Sequence, residues 1–205
     1  MTFDELFEMP TFVNSELPVD DVQVSIMSAN TLKREYDMLG EFSVGSDRVV
    51  GAIKKNHKSA IIGHMVQRDD GVPSMRVVTT LTFHEQPDLG EIAGKALQVD
   101  TVVSTDEARG GGYGYSLYKM LLNSGFTLAS DNVQYIGGIE LWEKIIRRSA
   151  RDLHNVYILQ NGKLLRDEKG QVIVYDGSNV PDDVIWSTNK RSEQHYYTLL
   201  VAVNK

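Results

Sequence analysis

Arg109-Gly110-Gly111-Gly112-Tyr113-Gly114 is the stretch of this chain with the clearest capacity for chemistry. It stands between a β-rich run, Lys95–Val103, and a helical pattern, Tyr115–Leu122, with an acidic corner at Ser104–Ala108 ahead of it. Strand, glycine-rich turn and helix start together hold phosphates, because backbone N–H groups converge on the anion and the helix dipole adds partial positive charge. Glycine suits such a turn: a Cβ would hold the backbone away from the anion and oppose positive φ. A dinucleotide fingerprint needs a third glycine where Leu117 stands, and a Walker A loop needs Gly-Lys-Ser/Thr where Gly114-Tyr115-Ser116 stands. What fits is Arg109-x-x-Gly112-x-Gly114 directly after a strand.

Asp100, nine residues before Arg109 on the same strand, is the candidate proton acceptor. Alternation puts Gln98, Asp100 and Val102 on one face and Leu97, Val99, Thr101 and Val103 on the other. Asp100 and Ser104 are separated by about 13 Å of strand, at roughly 3.3 Å per residue, so the acid lies well away from the phosphate turn. The plainer reading is an exposed or ion-paired strand aspartate. The histidines at 57, 64, 84, 154 and 195 have no His-x-x-x-His or His-Glu-x-x-His spacing, so no metal is expected. His64 and His84 lie on the strands before the glycine turn, either as satisfied structural residues or facing an acceptor site. Ser104 has no Gly-x-Ser-x-Gly elbow, which leaves a serine hydrolase without support.

The elements that must position these residues follow from hydrophobic period and turn chemistry. Residues 1–30 read as an N-terminal arm, broken by Pro10 and Pro18, with a strand near Val22–Met27. Ala29–Leu39 reads as a helix, then Arg48–Lys54, Ser59–Gln67, Met75–His84 and Lys95–Val103 as strands. After the glycine turn come a helix over Tyr115–Leu122, a strand at Phe126–Ser130 and a helix over Gly138–Ala150. Val156–Gln160, Gln171–Tyr175 and Tyr196–Val203 supply late strands, and Gly162–Asp183 reads as an inserted β-arm.

Composition bounds the function classes. A chain of 205 residues with 41% hydrophobic content can build a sizeable core, so wholesale disorder is not expected. Without cysteine there is no disulfide, no Cys-based zinc site and no thiol nucleophile. A net charge of −7 argues against a broad nucleic-acid-binding face. Lys144, Arg147, Arg148 and Arg151 are the one basic cluster, read as a solvated helix face or as a docking patch for an acidic partner. No apolar run reaches 18 residues, and the mixed, acidic MTFDELFEMP start is unlike a targeting signal, so a cytoplasmic protein is expected.

The order strand, acidic corner, Arg109-x-x-Gly112-x-Gly114 and helix resembles the acyl-CoA pyrophosphate loop of the Gcn5-related N-acetyltransferase (GNAT) superfamily. The match covers about residues 60–150 and is topological elsewhere; within it, Ser130–Ile145 resembles the family's second cofactor-side helix. It implies an α/β (α+β) fold in which a mixed, mainly antiparallel sheet is flanked by helices, here a single domain over residues 1–205. It also implies acetyl-CoA as co-substrate and direct acyl transfer to an amine acceptor. By the same resemblance the cofactor contacts are Val102, Val103, Ser104, Arg109, Gly110, Gly111, Gly112, Tyr113, Gly114 and Tyr115, and Asp100 stands where several members place a base. Trp142 occupies the place of a tyrosine that protonates the departing thiolate in many members. An indole N–H has no useful acidity, so Ser130, Tyr135, a water or no acid at all must serve. Small bacteriophage-encoded N-acetyltransferases are similar, which would place the protein in a host cytoplasm. Small amines, protein amines, aminoacyl groups and modified nucleic acid all stay open as acceptors, and a homodimer stays open as an assembly. A GNAT-like protein that binds acyl-CoA without efficient catalysis is the alternative, and Trp142 speaks for it.

Overall fold

The computed structural model describes residues 11–13, 25–86, 89–92, 94–131, 133–186 and 198–205. It is a mixed α+β protein, mostly antiparallel sheet with a few helices. In chain order the first elements are β1 (Thr11–Val13), β2 (Ile26–Ser28), α1 (Ala29–Glu35), β3 (Tyr36–Val44), β4 (Asp47–Lys54), β5 (Ser59–Gln67), β6 (Pro73–Gln86) and β7 (Ala96–Ser104). Then follow α2 (Tyr113–Asn123), β8 (Thr127–Ala129), β9 (Val133–Tyr135), α3 (Ile136–Arg148), β10 (His154–Gln160), β11 (Lys163–Leu164), α4 (Asp182–Ile185) and β12 (Thr198–Asn204). Among the described residues no helix is long and apolar enough to cross a membrane.

The chain divides into two compact units, Pro18–Glu85 with Val99–Ser124, and Met1–Leu17 with Gln86–Gln98 and Gly125–Lys205. In the first, β3, β4, β5 and β6 form an antiparallel meander, and β2 pairs with β6 at Ser74–Arg76. Leu32, Tyr36, Ala52, Ile61, Met75 and Val77 form a buried cluster there. Helix α2 buries Leu117, Tyr118, Met120, Leu121 and Leu122 and packs on β3 and β5. Gly51 permits this approach on β4, since a Cβ there would lie 2.5 Å from the Met120 sulfur.

The expected helix Ala29–Leu39 is cut short. Ser28 caps it by accepting the Thr31 N–H at 3.2 Å, but the chain turns extended at Tyr36. Tyr36–Val44 instead ladders onto Asp47–Lys54, and a seven-residue helix has too few internal bonds to resist that pairing.

In the other unit β10 pairs antiparallel with β11 and β12, β12 antiparallel with β8, and β8 parallel with β7 over Ala96–Gln98. Strands β1 and β9 pair in parallel, from Thr11 with Val133 to Val13 with Tyr135. The core holds Leu89, Ala96, Ala129, Leu159, Leu199 and Val201. Helix α3 buries Trp142, Ile145 and Ile146. The buried His154 Nε2 meets the Ile145 carbonyl at 3.0 Å and so satisfies one acceptor of the last helical turn. The inserted arm turns at Asp167–Gly170, where the Asp167 carboxylate accepts the Lys169 and Gln171 N–H groups. Its return segment is not the ladder expected over Gln171–Tyr175. Val172 bridges Arg166 and Val174 bridges Tyr157, so successive contacts go to different segments. Most of the expected N-terminal arm, and Tyr196 and Tyr197, lie outside the described residues.

Leu153 takes φ 59° although it is bulky and 65% exposed. The left-handed region costs an L-residue about 1–2 kcal/mol, part of which glycine returns through its freer unfolded chain. Leu153→Gly is therefore expected to stabilise the fold by roughly 0.5–1 kcal/mol, read as a rise in Tm of a few degrees. A lowered Tm would mean that the leucine contributes packing which its exposure hides.

Candidate functional site

Strand β7 ends where its backbone is pulled into a turn: the Thr105 N–H donates to the Val78 carbonyl of β6 at 2.9 Å. Val78 is the extra residue of a β-bulge, since the β5–β6 register passes from Ile62 opposite Thr79 to Gly63 opposite Val77. A 3-10 turn, Asp106–Ala108, follows, and then Arg109 and the three glycines. Gly110 and Gly112 have φ 74° and 89°, so their positive φ is a backbone requirement that the glycine run meets. Gly112 is the N-cap of α2, and its carbonyl accepts the Ser116 N–H at 3.0 Å, the first bond of the helix. The Tyr113 and Gly114 N–H groups precede that bond and have no acceptor within the helix.

Gly111 departs from expectation. Its N–H donates to the Ala108 carbonyl at 3.0 Å, which commits it to the turn instead of to a ligand. Its conformation is also tightly framed, for a Cβ would lie 2.8 Å from the Tyr113 ring and 3.1 Å from the Ala108 oxygen.

The side chains around the turn are held by partners that local sequence does not reveal. Tyr113 is buried, and its hydroxyl donates to Asp47 Oδ2 at 2.5 Å, pinning the start of α2 to the start of β4. That bond, then burial, then the Asp47 and Glu107 charges push the phenol up to about 12. His64 packs edge-on against the Tyr113 ring with centroids 6.0 Å apart, so this histidine sits beside the turn. Arg109 pairs with Asp106 at 3.1 Å and Arg76 with Glu107. Both pairs are well exposed and contribute little to stability. Ser104 shares a hydrogen bond with Thr79 at 2.8 Å. Val102 and Val103 are half-buried on β7, and Tyr115 is buried in α2.

The Tyr113–Asp47 bond makes a pH prediction. A raised phenol pKa means the bond contributes in full below the unfolded value of 10.0, and is lost as pH rises through the folded value of about 12. Stability should therefore fall across pH 10–12 in the wild type and fall less in Tyr113→Phe. That variant should also lose roughly 1 kcal/mol at neutral pH. Identical profiles for the two proteins would remove Asp47 as the anchor.

Asp100 does not stand alone. Its Oδ1 lies 2.7 Å from His84 Nδ1, and both side chains are about half exposed. Asp100 is thus a hydrogen-bonded strand aspartate, and its partner is a histidine. With Nδ1 protonated, the imidazole donates to the carboxylate.

Ser130 and Tyr135 belong to the other unit. Ser130 is wholly buried, and its hydroxyl accepts the Leu200 N–H at 3.0 Å. Tyr135 is the last residue of β9. Trp142, 1% exposed, is a core residue of α3. Sequence reading overlooked Asp47, Arg76 and Thr79, and named His64 and His84 without their partners. Only strand register could have found them. Neither a protein-family model nor a curated protein sequence matches the chain.

Proposed function

We propose that this protein is an acyl-CoA-dependent N-acyltransferase of GNAT type, using acetyl-CoA and transferring the acyl group directly to an amine. The observation that carries the reading is the turn itself: a strand end, two left-handed glycines and a helix start whose Tyr113 and Gly114 N–H groups have no helical acceptor. Such amides, with the α2 dipole and Arg109, suit the CoA pyrophosphate.

In the proposed reaction the amine nitrogen attacks the thioester carbonyl, and the C–S bond then breaks to release CoA thiolate. The amine proton passes to the Asp100–His84 pair, directly or through water. A backbone N–H of β7 between Val102 and Ser104 meets the oxygen as it gains charge. Holding thioester and amine in reach of each other supplies much of the remaining rate. With Trp142 buried, thiolate departure relies on the thiolate's own leaving ability or on water.

Calorimetric titration with acetyl-CoA, followed by an amine screen read by CoA release, tests the reading. Binding with turnover on some amine is expected. Trp142 favours a second reading, a GNAT-like protein that binds acyl-CoA without efficient turnover, which predicts binding and no CoA release on any amine. Displacement of CoA by ATP or GTP would point to a general nucleotide-phosphate site.

A further inference from the structure

Two arginines at the glycine turn are each held by a carboxylate of the acidic corner that precedes it. Arg109 Nη2 lies 3.1 Å from Asp106 Oδ1, and Arg76 Nη2 pairs with Glu107 Oε1. Strand register brings Arg76 there. It stands opposite His64 in the β5–β6 ladder, so the two side chains share a face of the sheet. His64 in turn packs on the ring of Tyr113, the first residue of α2. All of these residues belong to one compact unit. Thr105, which opens the corner, is 4% exposed, and its hydroxyl has no hydrogen-bond partner among the described residues. A buried hydroxyl in that state is costly, so a shift of the corner that gave it a partner would be favourable.

A guanidinium receives a carboxylate and a phosphate through the same planar fork of N–H groups. The paired side chains are between 40% and 89% exposed, so water weakens both pairs and neither is costly to exchange. We infer that Asp106 and Glu107 stand in for a bound anion, and that Arg76 is a second arginine of the phosphate turn. On binding, a diphosphate takes over both guanidinium groups and the two carboxylates turn to water. The corner thereby keeps the empty turn close to neutral, where two arginines and the start of α2 would otherwise gather positive charge. It also lowers the affinity for any anion that cannot displace it. That the anion is the pyrophosphate of acetyl-CoA rests on the acyl-CoA reading; the exchange of arginine partners does not.

Titrations of the full chain with inorganic pyrophosphate and with acetyl-CoA test this, with thermal unfolding as control. Glu107→Gln should bind both ligands about threefold or more tightly than the wild type, and Asp106→Asn likewise. Arg76→Ala should bind both about fivefold or more weakly, through loss of a charge-assisted contact. In the double variant Arg76→Ala/Glu107→Gln the gain should vanish, leaving affinity within about twofold of Arg76→Ala, because Glu107 acts on the ligand through Arg76. Should Arg76→Ala not fold, Arg76→Gln, which keeps a polar side chain without the charge, is read the same way. A pair that merely braces the turn gives the opposite sign: Glu107→Gln then weakens binding as Arg76→Ala does, and the inference fails. Unchanged affinity in the folded Arg76 variant also overturns it, as does a Glu107→Gln gain that persists without Arg76, since that is plain charge repulsion. A wild type that binds pyrophosphate but not acetyl-CoA overturns the acyl-CoA reading alone, and one that binds neither overturns both.

Discussion

Asp100→Asn is expected to bind acetyl-CoA as the wild type does and to transfer the acyl group about 10²–10⁴-fold more slowly at neutral pH. Asparagine keeps the size and polarity of the side chain, and the half-exposed position tolerates the change. What it lacks is the negative charge that faces the His84 imidazole 2.7 Å away. His84→Gln should show a defect of the same order. Residues that act as one unit are not additive, so the double variant should be little slower than either single one. The defect should also shrink as pH approaches the acceptor amine's own pKa, where the neutral nucleophile needs no base. Equal turnover by wild type and Asp100→Asn would leave the pair a surface contact. Multiplied defects in the double variant would assign the two side chains separate tasks.

Gly114→Val is expected to weaken acetyl-CoA binding at least 100-fold, close to 3 kcal/mol, while α2 stays folded. Gly114 lies in the first turn of α2 and has no positive φ, so valine adds bulk at the amide cluster without backbone strain, and its helix propensity exceeds that of glycine. Gly112→Val is the less clean variant: at φ 89° a β-branched residue is strained, and part of any loss would come from the fold. Arg109→Ala should weaken binding by roughly 1.5–3 kcal/mol through loss of a charge-assisted contact. The ion pair it forms with Asp106 is exposed, so little of that effect can be stability. Titrations of both variants, with thermal unfolding as control, decide the matter. Wild-type affinity in Gly114→Val and Arg109→Ala together would remove the phosphate role of the turn.

The local features of this chain were legible in its residues. Ser59–Gln67 is a strand with the expected bounds, and the strand before the glycines and the helix after them stand within two residues of where period and turn chemistry put them. Each depends on neighbours within a few residues, and alternation, glycine φ and helical period act at that range. Tyr36–Leu39 was read as helix, because the partner of Tyr36–Val44, Asp47–Lys54, decides its state and lies beyond local range. The glycine turn was readable as a device for anions, yet only the folded backbone shows that Gly111 is committed to Ala108. The pairing of Asp100 with His84, sixteen positions earlier, comes from the register of two strands. Asp47 reaches Tyr113 across 66 positions. A single sequence carries no record of register, because any slip by two residues preserves the same alternation of faces. Residue types and short spacings thus determined which chemistry the chain can offer. Tertiary pairing decided which side chains meet to perform it, since strand register is set by packing over the whole sheet.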